Sequence, residues 1–91
     1  MTDHAQTLLT AYATVLRRYR LAAGLSQEGL AHDVGLSARY ISLLETCRHQ
    51  PTLGTMGDIA HRLGVPLAQL IAEAEAVAKA EERATGDTGQ A

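Results

Sequence analysis

Five arginines fall between residues 17 and 49: Arg17, Arg18, Arg20, Arg39 and Arg48. Three acids oppose them there, Glu28, Asp33 and Glu45, so the segment carries a local net charge of +2. A guanidinium is permanently charged and holds its donors in a rigid fork, which matches a phosphate or the O6/N7 edge of guanine. Arg39 is the candidate base reader. Near it in sequence, Ala38 and Leu43 suit contact with a thymine methyl, although Leu43 equally suits a place at the edge of a core. Ser42 and Thr46 can bond bases or phosphates, or only their own helix carbonyls. Gln27, Ser37, Arg48 and His49 offer groups for phosphate oxygens. So does one of Arg17 and Arg18, which diverge by about 100° on a helix. Such a set suits double-stranded DNA, and the same residues equally suit a solvated helix face.

Catalytic chemistry finds little to work with. Cys47 and His49 stand two residues apart and His32 is distant in sequence, which matches no recognised zinc spacing. No Ser–His–Asp arrangement and no phosphate-cradling glycine loop is visible. A lone cysteine forms no intramolecular disulfide. The expectation is a protein without metal, cofactor or enzymatic activity.

The elements that must position these groups are helices. Leu8, Tyr12, Val15, Leu16 and Tyr19 recur at spacings of three and four, so a helix is predicted from Thr7, ending before Gly24. Ser26 is a candidate cap for a short second helix carrying Leu30, Ala31 and Val34, which Gly35 ends. Ser37 caps a third, with Ile41 and Leu44 on its inner face and Ala38, Arg39, Ser42 and Leu43 largely on its outer face. Pro51 bars its continuation. Thr52 opens a fourth helix with Leu53, Met56, Ile59, Ala60 and Leu63, closed by Gly64. Pro66 opens a fifth, with Leu67, Leu70, Ile71, Ala74 and Val77. No strand alternation appears. The expectation is an all-α, compact five-helix domain over residues 7–84, after a flexible stretch at 1–6 and before a disordered tail at 85–91.

Composition agrees with one small domain. The chain has 91 residues, 46% of them hydrophobic, with three Tyr and no Trp or Phe. Its core must therefore be aliphatic. Net charge is −2, so overall charge does not point to nucleic acid; the polarisation of positive charge into the first half fits a nucleic-acid partner and a merely solvated surface equally well. No apolar run approaches the roughly 18 residues of a membrane span, and the N-terminus lacks a signal-peptide pattern. A cytoplasmic protein is expected, with no membrane partner.

At LRRYRLAAGLSQEGLA, VGLSARYISLLE and QPTLGTMGDIAHRLGV the sequence resembles the phage-repressor/Cro-like helix-turn-helix family. The resemblance runs from about Tyr12 to Leu70. It implies a third helix that reads DNA as part of a dimer, and a structural ion pair between Arg20 and Glu45 linking the first and third helices. Among relatives, the sequence looks most like small controller proteins of restriction–modification systems. It is also similar to plasmid and phage repressors and to antitoxins. Two positions depart from the family pattern. Cys47 stands where a left-handed glycine is usual, and Leu43 stands where a polar reader is common.

One short helix contacts few base pairs, so a homodimer on a palindromic operator is expected. Ile71, Ala74, Val77 and Ala78 form the candidate dimer stripe on the last helix. The leading reading is a transcriptional regulator that recruits or blocks RNA polymerase. The alternative is an antitoxin that sequesters a toxin protein and autoregulates its operon.

Overall fold

The computed structural model describes residues 3–90, with side chains described through Ala84. Five helices follow one another: α1 (His4–Ala22), α2 (Gln27–Val34), α3 (Ala38–Glu45), α4 (Leu53–Leu63) and α5 (Leu67–Gln90). No strand occurs among the described residues. Helix α1 starts three residues before the predicted Thr7. Asp3 is the reason: its carboxylate accepts from the Ala5 amide at 3.3 Å and its carbonyl from the Thr7 amide at 3.0 Å. Residues 4–6, expected to be flexible, are thereby helical. The stretch expected as a disordered tail, 85–91, lies outside the residues whose side chains are described.

The other helix starts use the side chains that suit them. Ser26, Ser37 and Thr52 accept from the Gly29, Tyr40 and Thr55 amides at 2.9, 3.0 and 3.1 Å. Each satisfies one amide that has no partner inside its helix. The end of α2 shows how the turns are made. Gly35 takes φ 74, its amide donates to His32 O at 3.3 Å, and the Leu36 amide donates to Ala31 O at 2.8 Å. That bond pair reverses the chain, and glycine adopts the left-handed conformation without a Cβ clash.

The core is aliphatic, as composition requires. Val15, Leu16, Leu30, Ile41, Leu44, Ile59 and Leu70 are enclosed, with Tyr12 and several alanines around them. Burial of each large side chain contributes about 1.5–3 kcal/mol. Helices α1 and α5 run antiparallel. Tyr19 near the end of α1 donates to Glu73 near the start of α5, while His4 and Glu82 meet at 2.5 Å at the opposite ends.

This pairing corrects the expected dimer stripe. Ala74 and Ala78 are only 0% and 2% exposed within a single chain. With Leu70 they sit at i, i+4, i+8, one face of α5, and their small side chains let α1 approach closely. Ile71 and Val77 remain half-buried on either side of this face. They line two different grooves, Ile71 with Leu8 and Met56, Val77 with Thr10 and Glu81. The expected continuous stripe is thus split by α1.

Candidate nucleic-acid interface

Helix α3 is held from behind. Glu45 accepts from Arg20 Nε at 2.6 Å and Nη2 at 3.0 Å, and from Gln27 Nε2 at 3.1 Å. Arg20 also donates to Leu25 O at 2.7 Å. One carboxylate therefore ties α3 to α1 and to the first residue of α2. The side chains of Arg20 and Glu45 are only 7% and 3% exposed. Hydrogen bonding to Glu45 raises the Arg20 pKa above its ordinary value, so the buried guanidinium stays charged.

The outer face of α3 is open. Arg39 and Thr46 are exposed, and Ala38, Ser42 and Leu43 are half-buried. Among the described residues Arg39 has no acidic partner, so its fork is available. The Thr46 hydroxyl donates to Ser42 O at 2.8 Å, the intrahelical alternative foreseen for it. Ser37 uses its oxygen as the α3 cap, which leaves its proton for an outside acceptor.

The flanks divide in the same way. Arg18 lies 3.6 Å from Glu73, on the α5 side. Arg17, turned about 100° away, is exposed and has no acidic partner among the described residues. Gln27 is half-buried and gives one amide proton to Glu45, which leaves the other. Arg48 and His49 are exposed on the α3–α4 connection.

That connection contains the strained residue. Cys47 takes φ 60, the positive φ of a non-glycine residue. Its amide donates to Leu44 O at 3.3 Å and the Arg48 amide to Leu43 O at 2.8 Å, the same bond pair that Gly35 makes. The geometry demands the left-handed conformation, at about 1–2 kcal/mol for a residue with a Cβ. The Cys47 thiol lies 3.9 Å from Leu9 O on α1.

Three features had no signal in the sequence patterns. The Tyr40 and His49 rings meet edge-on at 4.8 Å. Arg62 Nε on α4 donates to Asp33 on α2 at 2.6 Å, and this guanidinium holds the Asp33 carboxyl below its ordinary pKa. Tyr19, Gln69, Glu73 and Arg18 form a polar cluster across α1 and α5. Each joins residues from different segments, where helical spacing carries no information. No group of three or more His, Cys, Asp or Glu suited to a metal ion occurs among the described residues, and none of their helices is long and apolar enough to cross a membrane.

Comparison with known proteins places this geometry. Residues 11–74 match the family described as a helix-turn-helix domain. An uncharacterized HTH-type transcriptional regulator, y4dJ of Sinorhizobium fredii, is 39% identical over 54 residues, covering 59% of this chain and 70% of that protein. The clp gene regulator ClgR of Corynebacterium glutamicum superposes with a TM-score of 0.80 at 28% identity, over 91% of this chain and 87% of that one. A mutant of the restriction–modification controller protein C.Esp1396I gives a TM-score of 0.73 at 26% identity, over 79% of this chain and 96% of that one.

Proposed function

The chain belongs to the helix-turn-helix family of DNA-binding transcriptional regulators, and from that premise we propose that it acts as a homodimer on a palindromic operator, by occupying DNA and not by catalysis. Helix α3 enters the major groove. Arg39 reads a guanine, Ala38 and Leu43 touch thymine methyls, and Ser42 and Thr46 face polar base edges. Arg17, Arg48, His49, Gln27 and the Ser37 hydroxyl hold phosphates. The observation that carries this reading is α3 itself: Glu45 fastens its inner side while Arg39 stands exposed without an acidic partner.

The second copy is assigned to the Ile71 side of α5. There Ile71, Leu8, Leu9, Pro51 and Met56 line a groove of about 200 Å³. Val77 opens on the opposite side, and Ala74 and Ala78 are already used inside the chain. The likeness to a restriction–modification controller protein supports the regulator reading.

Selection of bound duplexes from a random DNA pool tests the reading, together with sedimentation of the wild type and Ile71→Glu. Recovery of an inverted repeat with half-sites about 10 bp apart, or a multiple, is expected. The wild type should sediment as a dimer and the variant as a folded monomer. A pool that shows no enrichment overturns sequence-specific regulation. A monomeric wild type overturns the homodimer.

A further inference from the structure

His49 is exposed, yet its ring is not loose. The imidazole centroid lies 4.8 Å from that of Tyr40, with the planes inclined at 65°. An edge-on pair of this kind orients a ring and leaves its nitrogens free for an outside partner. Two backbone features bring the rings together. Cys47 turns the chain at φ 60, and the Arg48 amide donates back to Leu43 O at 2.8 Å. The chain therefore doubles back beside α3, and His49 meets a residue nine positions earlier.

Tyr40 is well placed to hold it. Its ring is half-buried and packs against the core, so it is a fixed support. On the helix it lies about 100° from Arg39 and about 140° from Glu45, the residue that meets both Arg20 of α1 and Gln27 of α2. It thus lies well round α3 from the side that Glu45 turns to Gln27 at the start of α2. A helix in the major groove is bounded by a phosphate strand on each side. The amino end of α2 with Gln27 serves one side, and the Tyr40 flank serves the other.

Resting on the DNA-binding reading, we infer that Tyr40 is a positioning residue that holds the His49 imidazole against the second phosphate strand, where the protonated ring makes a charge-assisted contact. Such contacts are stronger than neutral ones, and imidazoles as a class change charge between about pH 5 and 8. The ionisable groups around His49 are the neighbouring Arg48 cation, the Tyr40 phenol from α3 and the Tyr12 phenol from α1, which lies close to Tyr40. Among the described residues no carboxylate pairs with His49. Its ring nitrogens are therefore open to an external anion.

The test is fluorescence anisotropy with a labelled mixed-sequence DNA duplex, titrated over a range of salt at about pH 5.5 and pH 8. For wild type the slope of log affinity against log salt should be steeper at the lower pH by up to about 0.9, the value of one phosphate contact. His49→Gln should abolish that difference attributable to this ring. Tyr40→Leu should shrink it to the same degree, and Tyr40→Phe should retain it, because the ring and not the hydroxyl is the support. Combining His49→Gln with Tyr40→Leu should change the pH effect no further than His49→Gln alone. A Tyr40→Leu protein that binds less well with the pH difference intact overturns the inference, since a purely structural role would do that. Retention of the full difference in His49→Gln also overturns it and assigns the effect to another histidine. Tyr40→Met, closer in volume, serves if Tyr40→Leu does not fold. A wild type with no salt-dependent binding to any duplex defeats the DNA-binding reading itself, a distinguishable failure that takes this inference with it.

Discussion

Helices α2 and α3 are built alike. Each has eight residues, begins at a serine cap and ends in a left-handed turn. Each has an acid in its last turn that meets an arginine from a neighbouring helix at 2.6 Å, Asp33 with Arg62 and Glu45 with Arg20. The differences lie in what surrounds these parts. The Arg62 and Asp33 side chains are 42% and 32% exposed, and those of Arg20 and Glu45 are 7% and 3% exposed. The turn after α2 uses Gly35, and the turn after α3 uses Cys47. The second position of α2 is the acid Glu28, and that of α3 is Arg39. Equal distance therefore does not mean equal energy. Water screens one pair, while the other is enclosed and any orphaned partner is costly. The opposite charges at the second position suit only α3 to an anionic groove.

The largest expected effect breaks the enclosed pair. Glu45→Ala leaves Arg20 buried and charged and frees Gln27, so a loss of about 3–5 kcal/mol in urea-unfolding stability is expected. Glu45→Gln, which keeps two acceptor lone pairs, should lose less. A loss no larger than that of an exposed pair would show that water reaches Arg20.

Next comes the second position. Arg39→Ala should cost about 1–3 kcal/mol of binding to the selected operator and relax preference at one guanine per half-site. Glu28→Ala should strengthen binding slightly without altering sequence preference. Competition assays with single-base variants of the operator separate the two outcomes.

The two turns provide a smaller, paired effect of opposite sign. Cys47→Gly should raise stability by about 1 kcal/mol, because it removes the Cβ from a left-handed residue. Gly35→Ala should lower it by about 1 kcal/mol for the converse reason. Open space around the Gly35 Cβ position makes the backbone the cause, since nothing lies within 4 Å of it. If Cys47→Gly destabilises, the thiol contact with Leu9 outweighs the strain. Thermal denaturation of the two variants side by side decides this.

The smallest effect belongs to Asp33. Arg62 lowers its pKa in the folded chain from the ordinary 3.8. The folded state therefore binds fewer protons than the unfolded chain just below that value. The stabilisation is present above pH 3.8 and is lost as pH falls through the depressed folded value. Asp33→Asn should leave the urea midpoint near wild type at neutral pH and flatten a small part of the acid limb. High salt should erase most of the difference.

Much of this molecule was legible before its three-dimensional form. The starts and stops of the helices follow from Ser26, Ser37, Thr52, Gly35 and Gly64, because caps and left-handed turns are local chemistry acting over three to five residues. The inner faces of α3 and α4 follow from the spacing of Ile41, Leu44, Ile59 and Leu63. Helix α1 was read three residues short, since a periodicity that starts at the first apolar residue overlooks a polar first turn capped by Asp3. The roles of Arg20 and Glu45 came from family resemblance and not from their spacing. Their burial, which sets the energetic worth of the pair, came from packing.

Other features depended on tertiary structure alone. Ala74 and Ala78 read equally well as a stripe for a partner or as a core face, because periodicity says that residues share a side and not what covers it. The antiparallel approach of α1 decided the matter. Tyr40 and His49 meet because Cys47 accepts a strained turn, and a backbone conformation contrary to residue preference is stable only when the surrounding contacts offset its cost. Local sequence thus determined where the helices begin and end, through hydrogen bonds that each segment makes with itself. Packing between segments determined which charges are enclosed, which alanines are covered and which rings touch, because those energies depend on neighbours outside the helix that carries each residue.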